Sequence, residues 1–360
     1  MEQRLLWDMA KKLCRRIVFA KAPLIGSLVV PGHFQLLPCK FPNAPTSTRF
    51  GSVPLVMEFW IDDLENPVVD LFPKDLQDFT ASKANEFYKL QRLTRLISAI
   101  SNHRIQASLP HSVDRGWQMP EESKPSAAGG TSKVVLFGSY EYPEMQQDLF
   151  IHAFSLPDAP TVRLVNHKDY YFMNPIENRE SPITFSQEMF RMLHNYFNVG
   201  KRARAKLDVV ARLICDGVDL HSSMNSLSFL AYVSSIETLA SYHYRKAEGV
   251  KVECHGCHSV SDSPFSCEKC GKPIWGIKAK YKEFLKRHAG GHEESQALFS
   301  RIYNLRSKIV HEGSLLLGNE NLFLSNNAKG EKERMTHLIT QQASRFALAN
   351  WLLMSAERDD

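Results

Sequence analysis

Four cysteines within seventeen residues constrain this 360-residue chain more tightly than any other feature of its sequence. They read Cys254-His255-Gly256-Cys257 and, after nine residues, Cys267-Glu268-Lys269-Cys270. A C-x2-C pair lets two thiolates reach one ion from a single tight turn, and two such turns complete the tetrahedral four-sulfur set that zinc prefers. Gly256 and Gly271 are expected to give the two turns their backbone freedom. Cys14, Cys39 and Cys215 lie apart, so the seven cysteines do not form a disulfide framework. A redox pair or unrelated buried thiols are the alternatives; the spacing favours Zn2+ held by Cys254, Cys257, Cys267 and Cys270. Four thiolates leave no open position for an activated water, so the ion is expected to be structural. His255 and His258 read as exposed neighbours rather than ligands.

At 43% hydrophobic and 23% charged residues the chain is expected to build a packed core, which excludes disordered and fibrous classes. Its length suggests about two domains. No run reaches the roughly 18 apolar residues of a membrane span, so a cytoplasmic chain that neither crosses a membrane nor is secreted is expected. The patterning predicts an α+β multidomain fold. Residues 1–180 read as a mixed, β-rich N-terminal domain with a sensor or regulatory role. Its strands are expected at 16–20, 27–30, 53–61, 134–137, 149–154, 161–165 and 170–173, with an amphipathic helix over 82–104. Residues 119–133 are small, polar and turn-rich, and read as a mobile loop. Beyond Pro182 the segments are long, Gly-poor and helical in period, at 184–198, 201–215, 223–246, 277–288, 293–311 and 331–357. Residues 181–360 therefore read as an all-α helical bundle, with the zinc ribbon or knuckle inserted at 250–275.

Common catalytic signatures are missing. The glycine pair at 129–130 lacks the Gly-Lys-Ser/Thr ending of a phosphate loop, His292-Glu293 lacks the second histidine of a zincin helix, and neither G-x-S-x-G nor G-x-G-x-x-G occurs. What remains is YNLRSKIVHEG, residues 303–313, which ends a predicted helix on Gly313. Arg306 and His311 within it form R-x4-H. As a bare pattern this carries little, since 21 arginines and 14 histidines in 360 residues give about 0.8 chance occurrences of that spacing.

Set among long helices, with Glu237 on an earlier helix, the LRxKIVHxG segment resembles the HEPN superfamily, particularly the Apea-like HEPN domains of phage-defence proteins. The resemblance covers about residues 185–357. It implies a helical bundle that dimerises and brings arginine and histidine of two subunits into one metal-independent endoribonuclease site. Arg306 and His311 are then the catalytic candidates, with Glu237, Ser307, Tyr303 and Asn304 as supporting residues. The family often carries Asn, Asp or His after the arginine, where Ser307 stands here. The chemistry suits the residue types. Cleavage by the 2′-hydroxyl needs proton transfer, which an imidazole provides, and a cation for the phosphorane charge, which a guanidinium provides with paired donors. Five residues of an ideal helix separate two side chains by about 140°, so one chain's pair converges poorly and a composite dimer site fits better. The plain structural alternative pairs Arg306 with a bundle carboxylate, leaves His311 at a helix end, and makes Glu237 a core-edge partner of an arginine.

The formal charge of +5 is uneven: residues 245–288 hold ten Lys/Arg against five acids. Lys278, Lys280, Lys282, Lys286 and Arg287 are the RNA-contact candidates, since clustered cations attract phosphate without regard to sequence. A solvated helix face is the alternative. The expectation is thus a HEPN-type endoribonuclease acting as a homodimer in antiviral defence. It would leave 2′,3′-cyclic phosphate and 5′-hydroxyl ends and answer to a phage-derived or regulatory protein trigger at its N-terminal domain. The second expectation is a catalytically inactive zinc-containing module that dimerises and docks RNA or a protein partner.

Overall fold

Two apolar runs, Leu13-Cys14 and Ile17-Val18-Phe19-Ala20, drive the first element, which is buried on both faces. In the computed structural model, strand β1 (Lys11–Ala20) carries Cys14, Val18 and the other buried side chains of its length into a sheet. The structure describes residues 11–40, 52–62, 74–107, 118–120, 134–136, 150–151, 153–157, 161–172, 181–245, 252–254, 256–261, 266–272, 275–316 and 328–355. These fall into two compact units, Met1–Phe190 and Arg191–Asp360. The architecture is α+β: an antiparallel sheet dominates the first unit and helices dominate the second.

In the first unit β2 (Leu28–Val30), β3 (Phe34–Pro38), β4 (Val53–Asp62) and β7 (Phe150–Ile151) join β1 in the order β2-β3-β4-β1-β7. The β1/β4 register runs from Lys11↔Asp62 to Ala20↔Val53. Arg16, buried on β1, pairs with Glu86 of helix α1 (Lys74–Ala99), and this ion pair ties the helix to the sheet. Helix α1 starts eight residues before the expected 82 and stops at Ala99, where the Ser98 hydroxyl and the Ile105 backbone exchange hydrogen bonds. Short strands β5 (Gln118–Pro120) and β6 (Val134–Leu136) pair with each other, so Met119 and Pro120 belong to a strand and not to the predicted loop; residues 121–133 lie outside the described residues.

A second correction concerns residues 170–173, expected as strand. Tyr170–Phe172 lie in helix α2 (His167–Phe172), because the Asn166 side chain accepts the Lys168 amide at 3.0 Å and caps the first turn. Both tyrosines are buried, and their hydroxyls donate to the Thr184 and Ile100 carbonyls. Likewise Phe185–Ser186, expected as the start of a helix, is strand β9, paired in parallel with β8 (Leu164–Val165).

The second unit holds six of the eight described helices: α3 (Met189–Asn198, which begins in the first unit), α4 (Lys201–Leu220), α5 (Asn225–His243), α6 (Ile277–His288), α7 (Glu293–Glu312) and α8 (Ala328–Ser355). Helix α8 is buried on most sides from Thr336 to Leu352, and α5, which packs against α4, α6, α7 and α8, forms the middle of the bundle. Arg204, one of the four basic residues at 201–206, donates to the Phe197 and Val199 carbonyls, so it completes the end of α3.

Gly217 on α4 lies against Tyr232 of α5, and a Cβ there would meet the ring at 2.6–2.9 Å. A glycine-to-alanine change in a helix interior normally stabilises by about 1 kcal/mol, whereas overpacking costs roughly 1–3 kcal/mol. Gly217→Ala is therefore expected to lower the urea midpoint; a raised midpoint would show that the ring swings aside freely.

His337 of α8 is 3% exposed, contacts the Ser228 hydroxyl at 2.8 Å and stacks on His221. Burial, followed by the charge on His221, lowers its pKa to about 3. A histidine depressed in the fold binds its proton more readily when unfolded, so its contribution is complete above about pH 6.5 and is lost as pH falls toward 3. Stability is expected to fall by about 1.4 kcal/mol per pH unit across that window. Urea unfolding at pH 7, 5.5 and 4.5 should show the slope in the natural chain and a shallower one in His337→Gln.

Candidate functional site

The cysteine insertion begins after α5 and ends before α6. Tyr244 and Trp275 close its base with ring centroids 4.5 Å apart. A two-stranded ladder, β10 (Val252–Glu253) and β11 (Val260–Ser261), carries the first C-x2-C turn. The two turns repeat one geometry. The Cys254 amide donates to the Ser259 carbonyl and the His258 amide to Cys254; the Cys267 amide donates to Lys272 and the Gly271 amide to Cys267, all at 2.8–2.9 Å. The residue after each second cysteine adopts positive φ, His258 at 57° and Gly271 at 68°. Gly271 therefore supplies the freedom expected of it, and His258 accepts a left-handed conformation that favours glycine. Gly256 is not a positive-φ residue, and a Cβ there would meet only the exposed, flexible Lys272 side chain, at 2.6 Å, so the fold does not show the need for glycine expected at this position.

All four Sγ atoms lie within 4.8 Å of one another. Cys254 and Cys270 approach to 3.5 Å, Cys257 and Cys267 to 3.4 Å, and every one is a free thiol. A tetrahedral site with metal–sulfur bonds near 2.3 Å has sulfur–sulfur edges of about 3.8 Å, so these donors fit one ion. The Gly256 amide lies 3.4 Å from the Cys254 sulfur, and the Ser259 hydroxyl 2.9 and 3.2 Å from those of Cys257 and Cys267. Such donors favour thiolates over thiols. The Ser259 hydroxyl is the chief cause that brings Cys267 down to about 6. The cluster can hold a metal ion. Ser259 was invisible to the spacing argument, because only the folded turn carries its hydroxyl to two sulfurs. His258 stands outside the four-sulfur set, and His255 lies outside the described residues.

Helix α7 carries the second candidate site. Its apolar residues Phe299, Ile302 and Ile309 are buried, which turns Arg306 to the edge of the core. Gly313, at φ 67°, stops the helix, and the amides of Gly313 and Ser314 both turn back to the Lys308 carbonyl. Arg306 faces Glu237 of α5: Nε stands 3.3 Å from Oε1, and an Nη donates to Oε2 at 3.5 Å. Burial raises the Glu237 carboxyl above its ordinary range, while the Arg306 charge and the Tyr303 hydroxyl draw it back. The pairing is long and leaves the remaining guanidinium donors without a hydrogen-bond partner among the described residues, while the guanidinium carbon lies 5.8 Å from the Tyr303 ring centre. Tyr281, on the buried face of α6, has a hydroxyl with no partner there, and burial, Glu237 and Tyr303 together push its pKa up. Sequence reading missed Tyr281 because it sits on the same i, i+3, i+4, i+7 stripe as Phe284, Leu285 and His288 and looks like core.

His311 is exposed in the last turn of α7 and has no side-chain partner among the described residues. It does not meet Arg306 within one chain. Ser307 is half-buried and Asn304 exposed; Asn304 accepts a hydrogen bond from Lys278 Nζ at 3.0 Å, and that ammonium lies 5.9 Å from the Tyr303 ring centre. The five basic candidates of α6 divide between two flanks. At 100° per residue, Lys278, Lys282 and Lys286 run along one side of the buried stripe, and Lys280 and Arg287 along the other. The first row adjoins α7 through Lys278. Comparison with protein families, curated proteins and solved structures gave no match to this chain.

Proposed function

We propose that this chain is a metal-independent endoribonuclease of HEPN type, an effector of antiviral defence that works as a homodimer of its helical unit, with Arg306 and His311 as its catalytic pair. The observation that carries the reading is the state of the two side chains on α7. Arg306 is held at the core edge by a loose carboxylate contact with donors to spare, and His311 is exposed and unengaged at the helix end. In the proposed reaction His311 takes the 2′-hydroxyl proton, the 2′-oxygen attacks the adjacent phosphorus as the bond to the 5′-oxygen breaks, and the protonated imidazole returns that proton to the departing 5′-oxygen. Arg306 stabilises the charge on the phosphorane. Lys278, with Lys282 and Lys286 behind it, supplies phosphate attraction beside the pair, and Ser307, Tyr303 and Asn304 line its approach. The proposed ion at Cys254, Cys257, Cys267 and Cys270 is Zn2+, which would hold the insertion folded and take no part in cleavage.

The Glu237–Arg306 contact favours a second reading, an inactive zinc-containing module that dimerises and docks RNA or a protein, since it gives the arginine a structural task. RNA cleavage in EDTA, with the product ends identified, separates the two. Cyclic-phosphate ends lost in His311→Ala support the enzyme, and no cleavage by the full chain or by residues 181–360 supports the module.

A further inference from the structure

The first unit contains a cavity of about 300 Å³ that neither reading uses. Its floor is the sheet face on which three strands align one polar row and one apolar row. Glu58 on β4 stands opposite Arg15 on β1 and Gln35 on β3; Val56 stands opposite Leu37. Ser155, Leu156 and Pro157 form one wall, and Lys40 lies beyond Pro38 at the rim.

Glu58 has no exposed side-chain surface, and four donors saturate it. Arg15 Nε and the Ser155 hydroxyl reach Oε1 at 2.7 and 2.6 Å; Gln35 Nε2 and the Ser155 amide reach Oε2 at 2.6 and 2.7 Å. A carboxylate with its acceptor sites filled offers nothing to a cation. The cations beside it are not exhausted. Arg15 gives Nε to Glu58 and one Nη to Ser155, which leaves its other donors without a partner among the described residues, and the Lys40 ammonium is likewise unengaged there. Buried Ser27 adds one small polar patch, and Leu37, Pro38, Val56, Leu156 and Pro157 make the rest of the lining aliphatic, with no aromatic ring to stack a nucleobase. Leu156 is 89% exposed at the mouth, so an apolar ligand body would cover surface that water now meets. A cavity of this size lies at the small end of ligand sites.

We propose that this cavity binds a small organic anion with an aliphatic body, its carboxylate or phosphate head between Lys40 and Arg15 and its tail on Leu37, Val56 and Leu156. The test is titration calorimetry of the full chain with hexanoate and with hexyl phosphate; hexanol and inorganic phosphate probe the tail and the head alone. The expected result is saturable one-site binding of at least one of the two amphiphiles and much weaker binding of both fragments. Lys40→Met is expected to weaken binding about ten-fold through loss of a charged partner, and Leu156→Ser several-fold. Both residues are exposed, so the variants should fold. Failure of both amphiphiles to bind at millimolar concentration overturns the proposal. So does binding unchanged in both variants, or inorganic phosphate binding as tightly as the amphiphiles.

Discussion

Replacing His311 by alanine is expected to lower EDTA-resistant RNA cleavage by about a hundred-fold or more, the usual loss when a positioned proton-transfer group is removed. Arg306→Ala should lose a similar factor, because the phosphorane charge then has no paired donors. Co-expressing the two inactive chains makes the sharper test. If Arg306 of one subunit works with His311 of the other, a mixed dimer contains one site with both residues and one with neither. Random pairing makes half of the dimers mixed, so about a quarter of natural activity should return. The expectation rests on the α7 geometry: about 140° of helix rotation separates the residues, and Arg306 turns toward Glu237 while His311 ends the helix in solvent. No recovery from the mixture would place the complete site in one chain. Full cleavage by His311→Ala would take His311 out of the chemistry, and only the absence of cleavage by the natural chain would leave the docking module.

Legibility in the sequence followed the range of the forces involved. Most helix ends of the second unit lie within three residues of expectation, although α3 starts five residues after 184 and α4 runs five past 215; Gly313 ends α7 by a backbone preference that needs no tertiary partner. The errors lie where partners distant in sequence decide. Tyr170 and Tyr171 looked like strand residues, yet Asn166 caps a short helix there and Ile100 and Thr184 receive their hydroxyls. Phe185 and Ser186 carry helical periodicity but pair with Leu164 and Val165. The same division holds for the sites. The cysteines announce themselves by spacing, because each turn is local. Ser259, Tyr281 and the Glu58 row do not, because each acquires its role only when remote segments meet.

Loss of the metal is expected to have the largest effect on structure. Metal analysis should find close to one zinc per chain, and Cys254→Ser far less, since the change removes a sulfur donor that is 1% exposed and faces the Cys270 sulfur at 3.5 Å. The insertion has little else to hold it: among its described residues the regular structure is a two-residue ladder, and the buried apolar cluster there consists of Cys254 and Cys267 with Cys257 packed against them. Binding of a structural zinc is worth about 10–16 kcal/mol in small metal-folded domains, far more than such a ladder supplies. Chelation should therefore unfold residues 250–275 while the apolar cores of α5 and α8 persist. The Tyr244–Trp275 pair at the base gives the readout, as opening the 4.5 Å contact exposes the indole and shifts its emission to the red. Helical circular dichroism should change little, and zinc should restore the emission. A chain purified without metal that keeps native emission, or a Cys254→Ser variant of unchanged stability, would show that the four thiols pack the insertion without an ion.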